Sequence, residues 1–126
     1  MITQISYLMI AIAALAHLII GALFYSPLLF GTIWSKEMNT MGNKPTFLNF
    51  AGEYLVGLIL AYFLSIFMLS CSTFTYFQVA LWAWLGFIVP VRISSIIWAN
   101  QSVKAAAIDV SAIFISMLAM AIILNW

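Results

Sequence analysis

Apolar residues run along the chain in four long stretches separated by short polar connections. A helix that crosses a bilayer needs about 20 predominantly apolar residues, because the hydrocarbon core is roughly 30 Å thick and each helical residue rises about 1.5 Å. The first stretch runs from about Ile5 to Tyr25 and stops at Ser26-Pro27, since proline lacks an amide donor and disfavours helix in the residue before it. The second covers about Leu48 to Ser70, the third about Thr75 to Trp98 and the fourth about Ala105 to Trp126. Pro90 predicts a kink or an early stop near the end of the third. None of the stretches alternates as barrel strands do, and irregular backbone would leave polar groups unsatisfied in lipid. The pattern predicts an all-α integral membrane protein, with residues 1–126 forming one four-helix transmembrane bundle.

Between Leu28 and Met41 the period changes. Phe30, Ile33, Trp34, Met38 and Met41 recur at helical spacing opposite Thr32, Ser35, Lys36 and Asn39, which predicts an interfacial helix between spans one and two. The alternative is an irregular loop covering the bundle. Trp34 and Lys36 are candidate interfacial anchors, the indole at headgroup depth and the ammonium on anionic lipid. Trp98 and Trp126, near predicted span ends, fit the same role. Ala14-Leu15-Ala16 has the form of a signal-peptide cleavage site. No positive stretch precedes it and the apolar run continues through Phe24, so a retained span is expected.

Composition agrees with lipid as the solvent. The chain is 67% hydrophobic and 6% charged, where soluble domains are about 45–50% apolar and about 25% charged. A net charge of +1 from four scattered cations gives no basic patch for phosphates, so no nucleic-acid partner is expected. The single cysteine, Cys71, excludes a disulfide within one chain or a CxxC metal knuckle. One histidine makes a bis-histidine haem possible only across a dimer, and no zinc-ligand spacing exists, so neither metal nor cofactor is expected. Lys36 and Lys44 follow span one, and Arg92 and Lys104 flank the turn between spans three and four. The positive-inside rule then predicts that these connections are cytoplasmic and that both termini face out.

Ionisable side chains inside spans cost about 2.5–3.5 kcal/mol each at the helix centre, so they mark a bundle interior or a wet cavity. Glu53, Asp109 and Arg92 fall at similar heights near the basic connections, the layer that span one reaches at Tyr25 and Ser26. Each span also carries a stripe of small or polar residues suited to close approach. The stripes are Ala13, His17, Gly21, Tyr25; Glu53, Gly57, Ala61, Ser65; Trp82, Gly86, Pro90, Ser94; and Ala105, Asp109, Ala112, Ser116, Ala119. These faces are expected to meet, within one chain or across subunits. One reading of the cluster is a structural lock with Arg92 between Glu53 and Asp109. The other is a pathway, in which the surplus carboxylate holds a proton or small cation. His17, near the midplane, is either a proton carrier or a neutral histidine bonded to a neighbouring span.

The run Gly21-Ala22-Leu23-Phe24-Tyr25-Ser26-Pro27-Leu28-Leu29-Phe30-Gly31, followed by Trp34, resembles the N-terminal signature of small bacterial membrane proteins grouped as domain of unknown function 1761. Gly86-Phe87-Ile88-Val89-Pro90 and Asp109 with the Trp126 ending resemble its later blocks, so the similarity covers nearly the whole chain. Two positions depart from that pattern: Trp98-Ala99-Asn100-Gln101-Ser102 replaces an aromatic-acidic-basic turn, and no tyrosine follows Asp109 closely. The resemblance implies a four-span bundle and carries no activity. The expectation is a multi-pass protein of the bacterial inner membrane that acts as an oligomeric channel or carrier for a proton or small ion. The alternative is an accessory or structural subunit of a larger membrane complex. With no phosphate-cradling loop and no Ser-His-Asp order, an enzyme is not expected, and one acting on lipid or a quinone ranks third.

Overall fold

The computed structural model describes residues 4–39, 45–71 and 73–126. Helix α1 (Tyr7–Phe24) starts where the Ser6 hydroxyl accepts the Met9 amide at 3.3 Å. It ends as the chain folds back ahead of Pro27, with the amides of Phe30 and Gly31 donating to the carbonyls of Phe24 and Ser26. That reversal consumes Leu28 to Phe30, so the short helix α2 (Gly31–Glu37) begins three residues later than the periodicity suggested. It is closed by Asn39 in the left-handed region (φ 57°), a conformation asparagine tolerates. Met41 and Lys44 lie outside the described residues. Helix α3 (Phe47–Ser70) opens with the Thr46 amide donating to Asn49 Oδ1 at 2.7 Å.

The third span comprises α4 (Tyr76–Ala83), a π turn (Trp84–Ile88) and α5 (Val89–Ala99). Thr75 and Gln78 cap its start reciprocally, the Thr75 hydroxyl accepting the Gln78 amide and the Gln78 side-chain carbonyl accepting the Thr75 amide. The kink expected at Pro90 takes the form of this widened turn immediately upstream. Proline cannot donate to the carbonyl four residues back and its ring crowds that oxygen, and a π turn relieves both. Helix α6 (Val103–Leu124) follows, with the Ser102 hydroxyl accepting the Ala105 amide.

Among the described residues, four helices are therefore long and apolar enough to cross a membrane, with one short helix between the first two. α1 and α6 pack along the middle; α3 lies against α1, and α4 against α6. The core of Ile10, Ala13, Ala61, Leu64, Met68, Val79, Ala80, Met117, Met120, Ala121 and Leu124 fills the half nearest the short second connection. Several polar groups between helices are satisfied across the bundle, as lipid favours, while the buried Ser65 hydroxyl on α3 has no partner among the described residues. Tyr54 donates to the Ala11 carbonyl at 3.0 Å and the Trp84 indole to the Val110 carbonyl at 2.8 Å.

The small-residue stripes of α1, α3 and α6 do turn inward: Ala13, His17, Gly57, Ala61, Asp109, Ala112 and Ser116 are all buried. That of the third span does not. Trp82, Gly86, Pro90 and Ser94 are exposed, and Val79, Ala80, Ala83 and Trp84 face the core instead. α1 and α3 approach closely at Gly57, where an added Cβ would lie 3.0 Å from His17 Cδ2 and 3.1 Å from the Ala14 Cα and carbonyl oxygen. Gly57→Ala is expected to push α1 from α3 and cost about 1–3 kcal/mol. Gly86→Ala meets nothing within 4 Å. It should be neutral or up to about 1 kcal/mol stabilising through helix propensity. Thermal unfolding of the two variants in one detergent distinguishes them, and equal midpoints would remove the tight α1–α3 contact from the account.

Candidate functional site

The half of the bundle without a packed core holds a cavity of about 680 Å³, within the range of small-ligand sites. Its walls come from α1, α2, the first two turns of α3, α5, the Gln101 turn and α6. Two hydrogen-bonded groups face it from different sides.

The first centres on His17, which is 6% exposed. Its Nε2 lies 2.7 Å from Glu53 Oε1 and its Nδ1 2.5 Å from Ser116 Oγ. An ionised carboxylate only accepts, so Nε2 carries the hydrogen, and in the neutral ring Nδ1 accepts from the Ser116 hydroxyl. Neutral His17 thus has both nitrogens satisfied. A further proton on Nδ1 requires the serine hydroxyl only to turn and accept. The Gly57 contact sets this geometry: Glu53 is one helical turn before Gly57, so the close approach of α1 and α3 brings His17 within reach of it.

The second group surrounds Asp109, which is 5% exposed on α6. Oδ1 accepts from the Tyr25 hydroxyl at 2.5 Å and from Trp34 Nε1 at 2.9 Å. Oδ2 accepts from Gln101 Nε2 at 3.1 Å and lies 3.7 Å from Arg92 Nη1. Tyr25 and Trp34 meet edge to face, with ring centroids 5.3 Å apart. A buried carboxylate is stable only with several donors and a nearby cation, and this one has three donors and a guanidinium. The same contacts fasten the amphipathic helix: Trp34 binds Asp109, and Glu37 at its end accepts from the Ser102 hydroxyl at 2.7 Å.

The anticipated polar residues therefore reach one cavity but not one network. Arg92 does not bridge the two carboxylates: it stands beside Asp109, while Glu53 is taken by His17. The Ser26 hydroxyl is spent on its own turn, donating to the Leu23 carbonyl at 2.6 Å, although the residue lines the wall. Trp34, read from sequence as an anchor among headgroups, turns its N–H inward. Lys36 is exposed in the last turn of α2, and Trp98 and Trp126 are 85% and 91% exposed at helix ends. Among the described residues, no three His, Cys, Asp or Glu side chains converge.

Gln101 and Ser116 are the functional candidates that the sequence did not single out. Ser116 had a signal, two turns beyond Asp109 on the same face. Gln101 had none, since it is swung back onto Asp109 by left-handed Asn100 (φ 53°), which caps α5.

No curated protein matches the chain. No solved structure matches it either. A family profile, described as Protein of unknown function (DUF1761), matches residues 8–125, from the start of α1 to the end of α6. Carrying that profile over nearly its entire length on four membrane-spanning helices, the chain belongs to the DUF1761 family.

Proposed function

We propose that the protein is a small carrier that binds a proton or small cation in this cavity and exposes it to alternate sides of the membrane. The observation that supports the reading is a cavity into which His17, Glu53, Arg92 and Asp109 all face and which ends against a closed apolar core. Glu53 and Asp109 against Arg92, with His17 neutral, leave a formal charge of −1 on its walls, which a cation or a proton on His17 would balance. The polar wall reaches from Tyr25 to His17 and gives way to Ala13, Ile10 and Met120. A continuous aqueous pore through one chain would need polar lining there, so alternation between states fits better than an open channel. By the positive-inside rule, Lys36, Arg92 and Lys104 set the cavity at the cytoplasmic face of an inner membrane with both termini outside.

The exposed stripe of the third span favours a second reading. Small residues facing lipid suit close packing against another helix, from a second copy or from a larger complex to which this chain is accessory. Proton flux in proteoliposomes tests the first reading. Wild type should exceed protein-free vesicles, and Glu53→Gln and Asp109→Asn should each lower its rate about tenfold or more, as loss of a relay charge does. Wild type that is folded, incorporated and silent would sink the carrier and leave the accessory subunit.

A further inference from the structure

Beside the cavity, α3 and α5 are scarcely in contact with each other. α3 and α4 pack together near the second connection, and Phe67 stacks on Phe87 with centroids 6.3 Å apart. Beyond that level, α3 and α5 barely meet. The two helices therefore diverge from Phe67 and Phe87 toward Glu53 and Arg92. In the divergence lies a second, almost wholly apolar cleft of about 180 Å³, lined by Leu60, Phe63, Phe67, Phe87, Ile88 and Met117. It shares no lining residue with the larger cavity but follows it along two helices: Ile88 is one turn before Arg92 on the third span, and Met117 is one turn after Ile113 on α6.

We propose that this combined space holds a single-chain amphiphile with a protonated primary amine, which enters sideways from the bilayer. The ammonium sits in the polar cavity and the alkyl chain in the cleft. The proposal rests on the reading of the cavity as a cation site and names what carries the cation. Charge favours an amine over a fatty acid or a phosphate, because the cavity walls are formally −1 with His17 neutral and Arg92 already stands beside Asp109. Within the polar end, Asp109 is occupied on both oxygens, whereas only Oε1 of Glu53 has a donor among the described residues. Glu53 Oε2 is thus the acceptor left for an ammonium. Its side chain is 49% exposed, so it is accessible. Size points the same way, since a bare ion needs far less than this volume. From Glu53 to Phe67 the path along α3 is about 21 Å at 1.5 Å per residue, long enough for an extended long-chain alkyl group.

A diazirine analogue of hexadecylamine, photolysed with the protein in lipid nanodiscs, tests the assignment. Labelling is expected at Leu60, Phe63 and Phe87, displaced by hexadecylamine but not by propylamine, and much weaker with the diazirine fatty acid of equal length. Glu53→Gln should lower it about tenfold, as loss of one charge partner does, and Arg92→Gln should raise it. Because the Arg92 variant moves the signal upward, a folding defect cannot imitate it. Equal labelling by the fatty-acid probe, label spread evenly over lipid-facing Trp82 and Val91, or indifference to both substitutions would overturn the proposal. Proton flux without amine labelling removes this inference and leaves the carrier. Specific labelling without flux upholds the amine site and removes the carrier.

Discussion

Asp109→Ala is expected to destabilise the protein by about 3–5 kcal/mol, the range seen when one partner of a buried charged network is removed. The substitution strands the Tyr25 hydroxyl, the Trp34 indole N–H and the Gln101 amide together, and takes the counter-charge from Arg92. Each buried donor left unmade costs about 1–3 kcal/mol. The losses do not simply add, because Tyr25 is 36% exposed and the Arg92 side chain 37%, so both regain water when the carboxylate goes. The more specific consequence concerns α2, which loses the bond that holds Trp34 to the bundle. Denaturant titration in detergent should show the lowered stability, and Trp34 emission should shift to the red before global unfolding. Asp109→Asn keeps an acceptor for Tyr25 and Trp34 but points an NH2 at Gln101 or Arg92, so about 1–2 kcal/mol is expected. An alanine variant as stable as wild type would mean that this set of donors is not what fastens α2.

Gly31→Ala carries the second large effect. An added Cβ would overlap the Tyr25 carbonyl oxygen and lie 2.7 Å from its carbon and 2.8 Å from the Ser26 carbonyl carbon. All three atoms are backbone, so no rotamer relieves the clash. The turn joining α1 to α2 must open, and with it the bonds from the Phe30 and Gly31 amides to the Phe24 and Ser26 carbonyls. A loss of about 3 kcal/mol or more follows, above the usual cost of overpacking because backbone must move. Gly52→Ala, with nothing within 4 Å of the added carbon, supplies the control. Hydrogen exchange across α2 should accelerate in the first variant and remain unchanged in the second; equal protection in both would refute the tight turn.

How much of this was legible in the sequence depends on which force sets each feature. The span count follows from bilayer thickness and the cost of an unpaired amide in lipid, both of which act on local sequence. The orientation of the third span does not. In water, apolar side chains are driven to one face, but lipid accepts Val79 and Trp82 alike, so hydrophobicity alone does not say which face packs. The stripe Trp82, Gly86, Pro90, Ser94 has the composition of an inner face and lies outside. Polar chemistry was legible by type more than by pairing. His17, Glu53, Arg92 and Asp109 declared themselves as ionisable groups in apolar runs, and they do line one cavity. Their partners depend on the helix separation at Gly57 and on the left-handed turn at Asn100, neither of which leaves a periodic trace.

The π turn at Trp84–Ile88 makes the position of Arg92 a matter of chain length as much as of residue identity. A π turn stores one more residue than the α-helical turn it interrupts. Deleting a single residue there would let regular helix close up over nearly the same rotation and rise, so Arg92 would keep its bearing on Asp109. The same deletion in the regular helix between Val89 and Arg92 would rotate everything downstream by about 100° and retract it by about 1.5 Å, carrying Arg92 from Asp109 and turning the Asn100 cap and Gln101 with it. Where a length change falls in an apolar stretch, a matter silent in composition and hydropathy, thus decides whether the charged end of the bundle is rewired.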